Sequence, residues 1–151
     1  LLRKNVKGKK INISLYYPTN YELNVFNIFN NKFFKKKNFS LPVINRTKYM
    51  KFYIWHRGDI LAINKYGIPE PIKSKSIIPN VILVPLLSFD KNKNRLGYGT
   101  GYYDRYLSKL HDSKKNVLSI GVAFSFQQHH KLPVNKTDIK LRYIITEKGI
   151  F

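Results

Sequence analysis

The stretch VILVPLLSFDKNKNRLGYGTGYYDRYL, residues 81–107, decides how this chain folds. Residues 81–86 are apolar and rich in branched side chains, which is typical of a strand that is covered on both faces. A polar turn at 90–94 follows, and then glycines at alternate positions, Gly97, Gly99 and Gly101. The residues after them form a helical pattern whose apolar face holds Tyr103, Tyr106, Leu107 and Leu110. The glycines therefore lie where a buried strand is connected to a helix.

This glycine loop lies at a position where proteins often bind anions. A helix start has free N–H groups and a partial positive charge, and glycines let the backbone approach a phosphate closely. The spacing matches neither the dinucleotide-binding pattern nor the Walker A pattern, so a tight structural turn is an equally good interpretation. Asp104, in the first turn of the predicted helix, also has two interpretations. It could hold Mg²⁺ beside a phosphate, or it could only complement the helix dipole.

Predicted strands and helices alternate along the chain. Besides 81–86, strands are predicted at 11–17, 39–44, 49–56, 117–123 and 143–146, and a helix with Glu22 in its first turn is predicted from about residue 20 to 34. Such alternation predicts an α/β domain with a mostly parallel sheet, and we expect a single three-layer α/β/α, Rossmann-like domain over residues 1–151. Ligands of these sheets bind beyond the carboxyl ends of the strands, where residues 95–104 would lie.

The composition limits the classes of protein to which the chain can belong. Its 151 residues, 43% of them hydrophobic, are enough to bury one core, and the absence of cysteine excludes disulfides and thiolate metal sites. No apolar run is long enough for a membrane span, so we expect no membrane contact. We also expect a cytoplasmic location and a monomer. The net charge of +20 would attract polyanions, but the basic residues are dispersed, and no specific nucleic-acid partner is predicted.

Two motifs in the central stretch carry a resemblance to a known family. Phe89-Asp90 and the run RLGYGTGYYDR, residues 95–105, resemble the signature of 5-formyltetrahydrofolate cyclo-ligase, also called 5,10-methenyltetrahydrofolate synthetase. Further matches follow the same order along the chain: Tyr16-Tyr17 with Glu22, GIPEP at 67–71, GVAF at 121–124 with Gln127, and LPV at 132–134 ahead of Asp138. The run at 95–105 is long and specific, and the resemblance covers almost the whole chain.

The resemblance implies ATP-dependent conversion of 5-formyltetrahydrofolate, with Mg²⁺ as metal. It assigns catalysis to Arg95 and Tyr102, and it assigns Mg²⁺ binding to Asp104 and Asp138. The implied ATP-binding residues are Arg95, Leu96, Gly97, Tyr98, Gly99, Thr100, Gly101, Tyr102 and Tyr103. The implied substrate-binding residues are Tyr17, Glu22, Tyr98, Gly99, Thr100, Gly101 and Tyr102. Tyr66 and Glu70 are outer candidates that border the same site.

The chain also departs from the family pattern. Val25 stands where the family usually has Thr, and the family's first helix, whose Lys and Arg reach the ATP phosphates, has no match in this sequence. Basic residues near the amino end could substitute, although no spacing favours any one of them: Arg3, Lys4, Lys7, Lys9 and Lys10. Three hypotheses therefore stay open, namely a cyclo-ligase, a catalytically weakened remnant that still binds nucleotide or folate, and a basic nucleic-acid-binding domain.

Two further residues have alternative interpretations. Pro42 marks either a bend in a strand or a strand edge, because proline cannot donate to a neighbouring strand. Trp55 could stack on a pterin ring, but packing in the core is the favoured interpretation. Residues 66–79 contain Pro69, Pro71 and Pro79 and are predicted to be largely loop.

Overall fold

The computed structural model describes residues 2, 11–45, 47, 49–72 and 75–151. Its strands are β1 (Asn12–Ser14), β2 (Asn38–Ile44), β3 (Met50–Ile54), β4 (Leu61–Ile63), β5 (Pro69–Pro71), β6 (Ser76–Ile77), β7 (Val81–Val84), β8 (Ser88–Phe89), β9 (Arg95–Leu96), β10 (Leu118–Val122), β11 (Tyr143–Thr146) and β12 (Gly149–Ile150). Helix α1 spans Tyr102–Asp112, and short 3₁₀ helices span Val25–Asn30, Lys32–Phe34 and Ser125–Gln127.

The main sheet is mixed, with a parallel centre. Its order is β12-β11-β10-β7-β1-β2-β3-β6. The pairings from β11 across to β2 are parallel, and the pairings of β12, β3 and β6 at the two sides are antiparallel. The predicted α/β class and mostly parallel sheet are therefore confirmed. Two further pairs, β4–β5 and β8–β9, form separate antiparallel hairpins.

Alternate residues of β7 show how the two faces of the sheet are covered. Val81 belongs to the apolar cluster on one face, and Ile82 and Val84 belong to the cluster on the other. The second face is covered by α1, which buries Leu107 and Leu110 against it, as the helical pattern predicted. The first face is covered by aromatic side chains of the 3₁₀ helices and by Leu2.

The predicted helix over residues 20–34 is wrong. The backbone forms a turn at Glu22 and then the two 3₁₀ helices Val25–Asn30 and Lys32–Phe34. The side chains of Asn24 and Asn31 accept hydrogen bonds from Phe26 N and Phe33 N, so each starts a new short helix. Asparagine competes with the backbone in this way, and the β-branched and aromatic residues between add little helix propensity. Glu22 therefore does not lie in the first turn of a helix.

Pro42 lies on a part of β2 that extends past its neighbour. β1 pairs with β2 only as far as Ser14↔Ser40, whereas the antiparallel pairing with β3 continues to Ile44↔Met50. Pro42 pairs with Phe52 of β3, and its nitrogen faces the side where β1 has ended. On the same side, the N–H of Ile44 donates to Glu70 Oε2 at 3.3 Å.

The structure also tests the predictions for Trp55 and for residues 66–79. Trp55 is buried and stacks on Phe26 with ring centroids 5.5 Å apart, so the packing interpretation is confirmed. The segment 66–79 contains the two short strands β5 and β6, and its other described residues are turn or irregular, in line with the prediction of a largely loop segment. None of the helices in the described part of the chain is long and apolar enough to cross a membrane.

Candidate functional site

The strand order places a topological switch point between β1 and β7. The chain proceeds from β1 to β2 on one side, whereas β7, β10 and β11 follow on the other side. Adjacent strands whose connections leave in opposite directions form a topological switch point, and ligands of open α/β sheets bind there, beyond the carboxyl ends of the strands. The segment after β1 carries Tyr17 and Glu22, and the segment after β7 leads to Arg95. The two sets of predicted ligand-binding residues thus follow the two strands that flank the switch point.

The hairpin β8–β9, which follows β7 in the chain, holds Arg95. Phe89 pairs with Arg95 and Ser88 with Leu96, so Arg95 is held on a short ladder. Its Nη2 donates to Asp104 Oδ2 at 2.8 Å, and the side chains of Arg95 and Asp104 are only 7% and 17% exposed. The Nε atom of Arg95 has no hydrogen-bond partner among the described residues. Asp104 is therefore the anchor that fixes the guanidinium of Arg95 at the start of α1.

The glycine loop between β9 and α1 is exposed at Tyr98, Gly99 and Thr100. Gly99 and Gly101 have φ of +77° and +65°, so both need the left-handed backbone that glycine adopts easily. Gly101 is the N-cap of α1 and supplies no side-chain hydrogen bond, which leaves the first N–H groups of the helix without a side-chain cap. Gly97 has an ordinary φ, but a Cβ there would lie 3.0 Å from Arg95 Nη1. Turn geometry and space for neighbouring groups both require glycine in this loop.

Arg105 stabilises the same loop from the helix. Its Nη2 donates to the Thr100 carbonyl at 2.9 Å, and its guanidinium lies 5.1 Å from the ring centre of Tyr102. The sequence motif contains Arg105, but no role was assigned to it. Arg105 follows Tyr102 by three positions, and this spacing, which places both on one face of the helix, could have predicted their contact.

Glu22 is held in a tight turn after β1. Its Oε2 accepts hydrogen bonds from Thr19 N at 2.9 Å and Thr19 Oγ1 at 3.1 Å. Burial raises the pKa of Glu22 above its ordinary value, although the two bonds from Thr19 act in the opposite direction. Tyr17 packs edge-on against Phe26, with ring centroids 5.4 Å apart. Both predicted substrate-binding residues of this segment are therefore fixed by local contacts.

Tyr103 connects the two halves of the site. Its hydroxyl is buried and has no hydrogen-bond partner among the described residues. Burial raises the pKa of Tyr103 well above its ordinary value, and the nearby Glu22 and Tyr16 raise it further. The ring of Tyr103 also lies 5.8 Å from the Arg95 guanidinium. Groups from the β1 side and the β7 side thus both act electrostatically on this phenol.

Tyr102 contacts the outer hairpin. Its hydroxyl lies 3.4 Å from the Tyr66 hydroxyl at the tip of β4–β5, and this contact, together with burial, raises the pKa of Tyr102. Glu70 of the same hairpin accepts from Ile44 N and from Asn64 Nδ2, so it stabilises the hairpin and the β2 edge. Of the two outer candidates, Tyr66 touches a predicted site residue.

The two proposed metal-binding carboxylates belong to neighbouring segments. Asp104 Oδ1 accepts from Ile139 N at 3.1 Å, which ties α1 to the residue after Asp138. Asp138 Oδ2 accepts from Asn135 N at 2.7 Å. No cluster of three His, Cys, Asp or Glu side chains suited to a metal occurs in the described ranges. Mg²⁺ bound to nucleotide needs only one or two carboxylates, because phosphates and water supply its other ligands.

Two buried polar residues beside the site were not among the predicted site residues. Gln127 Nε2 donates to the carbonyls of Leu86 and Leu87, at 3.2 and 2.9 Å, and so ties the segment after β10 to the segment after β7. Asp90 is fully buried in the turn between β8 and β9. The basic residues suggested as substitutes near the amino end lie outside the described residues.

Comparison with known proteins identifies relatives over most of the chain. A family model described as the 5-formyltetrahydrofolate cyclo-ligase family matches residues 2–147. The 5-formyltetrahydrofolate cyclo-ligase of Haemophilus influenzae is 31% identical over 137 residues, which are 86% of this chain and 72% of the relative.

Solved structures give the same result. The 5,10-methenyltetrahydrofolate synthetase of Aquifex aeolicus matches with a TM-score of 0.76 and 31% identity, over 99% of this chain and 75% of that one. The synthetase of Mycoplasma pneumoniae matches with a TM-score of 0.70 and 26% identity, over 95% of this chain and 79% of that one.

Proposed function

Because the chain belongs to the 5-formyltetrahydrofolate cyclo-ligase family, we propose that it converts 5-formyltetrahydrofolate to 5,10-methenyltetrahydrofolate while ATP becomes ADP and phosphate. One structural observation supports this most directly. The segment with Tyr17 and Glu22 and the segment with Arg95 and the glycine loop leave two adjacent strands at the switch point. Two ligands that must react with each other can bind side by side there.

The reaction needs a better leaving group on the formyl carbon. The formyl oxygen attacks the γ-phosphorus of ATP, the bond to the bridging oxygen breaks, and ADP leaves. N10 then attacks the formyl carbon and loses its proton, and phosphate departs with the C–O electron pair as the five-membered ring closes. Phosphoryl transfer requires little covalent help from a protein, so its main contributions are positioning and charge stabilisation.

The β7 side of the site would bind the triphosphate. The uncapped N–H groups at the start of α1 and the exposed backbone of the glycine loop are donors for phosphate oxygens. Arg95 would add a charge-assisted hydrogen bond, and its anchor Asp104 keeps the guanidinium from turning away. The phenols of Tyr102 and Tyr103 would line the boundary between nucleotide and folate.

The β1 side would bind the folate. Glu22 is partly desolvated, and a carboxylate in such a place gains free energy when a ligand donor reaches it. The N–H groups of a reduced pterin are donors of this kind. Tyr17, packed on Phe26, offers an aromatic surface beside it. We therefore propose that Glu22 orients the substrate and that Tyr17 contacts its rings.

Mg²⁺ would be held by Asp104 and Asp138, whose segments are tied together through Ile139 N. Each carboxylate oxygen has two lone pairs, so the hydrogen bonds already made leave acceptor capacity for a metal bound to ATP. When bound, the ion would neutralise charge on the phosphates. We also propose a cytoplasmic monomer, no specific nucleic-acid partner, and a single three-layer α/β/α domain.

The proposal is tested with the full chain, 5-formyltetrahydrofolate, ATP and Mg²⁺, by following the near-ultraviolet absorbance of the methenyl product. We expect absorbance to rise only when all three are present, and omission of each one is its own control. If the absorbance does not rise in the complete mixture while circular dichroism shows that the protein is folded, the proposal is contradicted.

A weakened remnant is the second candidate, because Val25, three residues after Glu22, stands where the family usually has Thr. It would bind ATP or folate in calorimetry without forming product. The net charge of +20 makes nucleic acid the third ligand to test. We expect such binding to be weak, independent of base sequence and lost steeply as salt rises, because it would rest on released counterions. Tight, sequence-selective binding at physiological salt would favour the nucleic-acid-binding hypothesis instead.

A further inference from the structure

Asp90 is a buried carboxylate that the proposed reaction does not use. Its side chain is fully buried in the turn between β8 and β9. Oδ1 accepts from Asn92 N at 2.9 Å and Asn94 N at 3.1 Å, and Oδ2 accepts from Asn94 Nδ2 at 2.8 Å and Leu132 N at 3.3 Å. Burial alone would raise the pKa of Asp90, but hydrogen bonds from Asn94, Leu132 and Asn92 outweigh it and hold the pKa below its ordinary value. Burying a carboxylate costs free energy unless hydrogen bonds compensate it. The groups that donate these hydrogen bonds therefore indicate what Asp90 does.

Those partners belong to two segments that are distant in sequence. One is the turn 90–94, which is followed directly by Arg95. The other is the segment 132–141, which contains Asp138. The second segment is joined to the first and to α1 by three backbone N–H groups: Leu132 N to Asp90 Oδ2 at 3.3 Å, Leu141 N to the Lys93 carbonyl at 3.0 Å, and Ile139 N to Asp104 Oδ1 at 3.1 Å.

We propose that Asp90 is a positioning residue that sets the turn before Arg95 and the segment 132–141 in a fixed relation. Through this relation it places Arg95 and Asp138 on the same nucleotide phosphates. The inference rests on the proposed function, because it assigns Asp90 to the ATP side of that site. Asp90 itself does not touch the ligands: it is fully buried, and its carboxylate oxygens already accept four N–H groups.

The geometry explains why a carboxylate is needed at this position. All four groups that face it are donors, two on each oxygen. An asparagine has the same shape but presents one NH₂ group, which must then face two donors. If the NH₂ group replaces Oδ1, the hydrogen bonds that form the turn 90–94 are lost. If it replaces Oδ2, the hydrogen bond from Leu132 N is lost.

The experiment compares Asp90→Asn with the wild type in the full chain, by hydrogen exchange without ligands and by steady-state kinetics. We expect faster exchange in 92–101 and 129–141, with exchange over 38–44 unchanged. We expect the apparent KM for MgATP to rise by about tenfold or more, since removing a group that orients a ligand-binding residue typically costs that much. Turnover at saturating MgATP should fall less.

Val81→Ala is the matched control, because it removes buried methyl groups at the amino end of β7, away from the carboxyl ends where the site lies. It should lower stability without raising the KM for MgATP. If Asp90→Asn behaves like Val81→Ala, with wild-type KM and no local rise in exchange, Asp90 only stabilises the fold and the inference is overturned.

Two further outcomes stay informative. If Asp90→Asn does not fold, Asn94→Ala removes one side-chain donor and leaves the carboxylate, and it should cause a smaller change of the same kind. An unchanged KM and unchanged exchange in Asn94→Ala would overturn the inference. If the wild type forms no product, the proposed function fails, but local exchange in 129–141 still decides the role of Asp90.

Discussion

The ion pair between Arg95 and Asp104 makes a quantitative prediction about stability. In Asp104→Asn the oxygen facing Arg95 Nη2 becomes uncharged, or is replaced by a second donor. Both side chains are largely buried, at 7% and 17% exposed, so the guanidinium would lose its charged partner in a place that water reaches poorly. Arginine cannot shed its proton to avoid this cost.

Removing one member of a buried ion pair typically costs about 3–5 kcal/mol, and we expect about 3 kcal/mol here because Asp104 keeps some contact with solvent. That is a large part of the roughly 5–15 kcal/mol that stabilises an ordinary domain. The midpoint of thermal unfolding should fall by about 6–12 °C for a chain of this size. Asparagine can still accept from Ile139 N, so the loss should come from the ion pair.

The assay is urea denaturation at fixed low ionic strength, without nucleotide or magnesium, so that a metal role of Asp104 cannot contribute. Asp112→Asn is the matched control at the exposed carboxyl end of α1, where the change should lie within about 0.5 kcal/mol of zero. If Asp104→Asn unfolds like Asp112→Asn, the reasoning about a buried pair is refuted.

Three further predictions concern single residues. Asp138→Asn should lose magnesium-dependent turnover while its urea midpoint stays at the wild-type value; full activity would remove its metal assignment. Gly99→Ala and Gly101→Ala should each cost roughly 1 kcal/mol or more, because both positions need positive φ, and calorimetric ATP affinity should fall by more than this loss explains; unchanged affinity would leave the loop as a structural turn only. Because the fold raises the pKa of Glu22, the wild type should lose stability as pH rises from the ordinary glutamate pKa of about 4.3 toward the raised value. The free energy of unfolding of Glu22→Gln relative to the wild type should therefore increase over that pH range and then level off. A difference in unfolding free energy that does not depend on pH would contradict this.

The parts of the fold that the sequence predicted are those with a strong local signal. The apolar run at 81–86 predicted a buried strand, which the structure forms over Val81–Val84, and the spacing of Leu107 and Leu110 predicted one face of a helix, on which both residues are buried. The prediction failed between residues 20 and 34, where a capping pattern before Glu22 suggested a helix. There the side chains of Asn24 and Asn31 form local hydrogen bonds with the backbone, and the capping pattern does not reveal that competition.

The site was predictable as a list of residues but not as an arrangement. Motif resemblance named Arg95 and Asp104 separately and gave them different ligands. Their ion pair depends on how a short β-hairpin places residue 95 beside the first turn of a helix, and the sequence of the loop at 97–101 shows no periodic pattern that would predict this. The roles of Asp90 and Gln127 were hidden for the same reason, because each bonds to segments about 40 residues away.

The part of β2 that runs past β1 has a consequence for self-association. A protruding strand edge is normally a template on which a strand from another molecule can add, and this is a common start of aggregation. On this edge the backbone groups of the alternate residues Pro42 and Ile44 point away from β3. Pro42 has no N–H to offer, and the N–H of Ile44 is already bonded to Glu70. A second chain arriving there would find carbonyl acceptors but no free N–H donor at these two positions, so one proline and one carboxylate make this edge a poor template for intermolecular pairing.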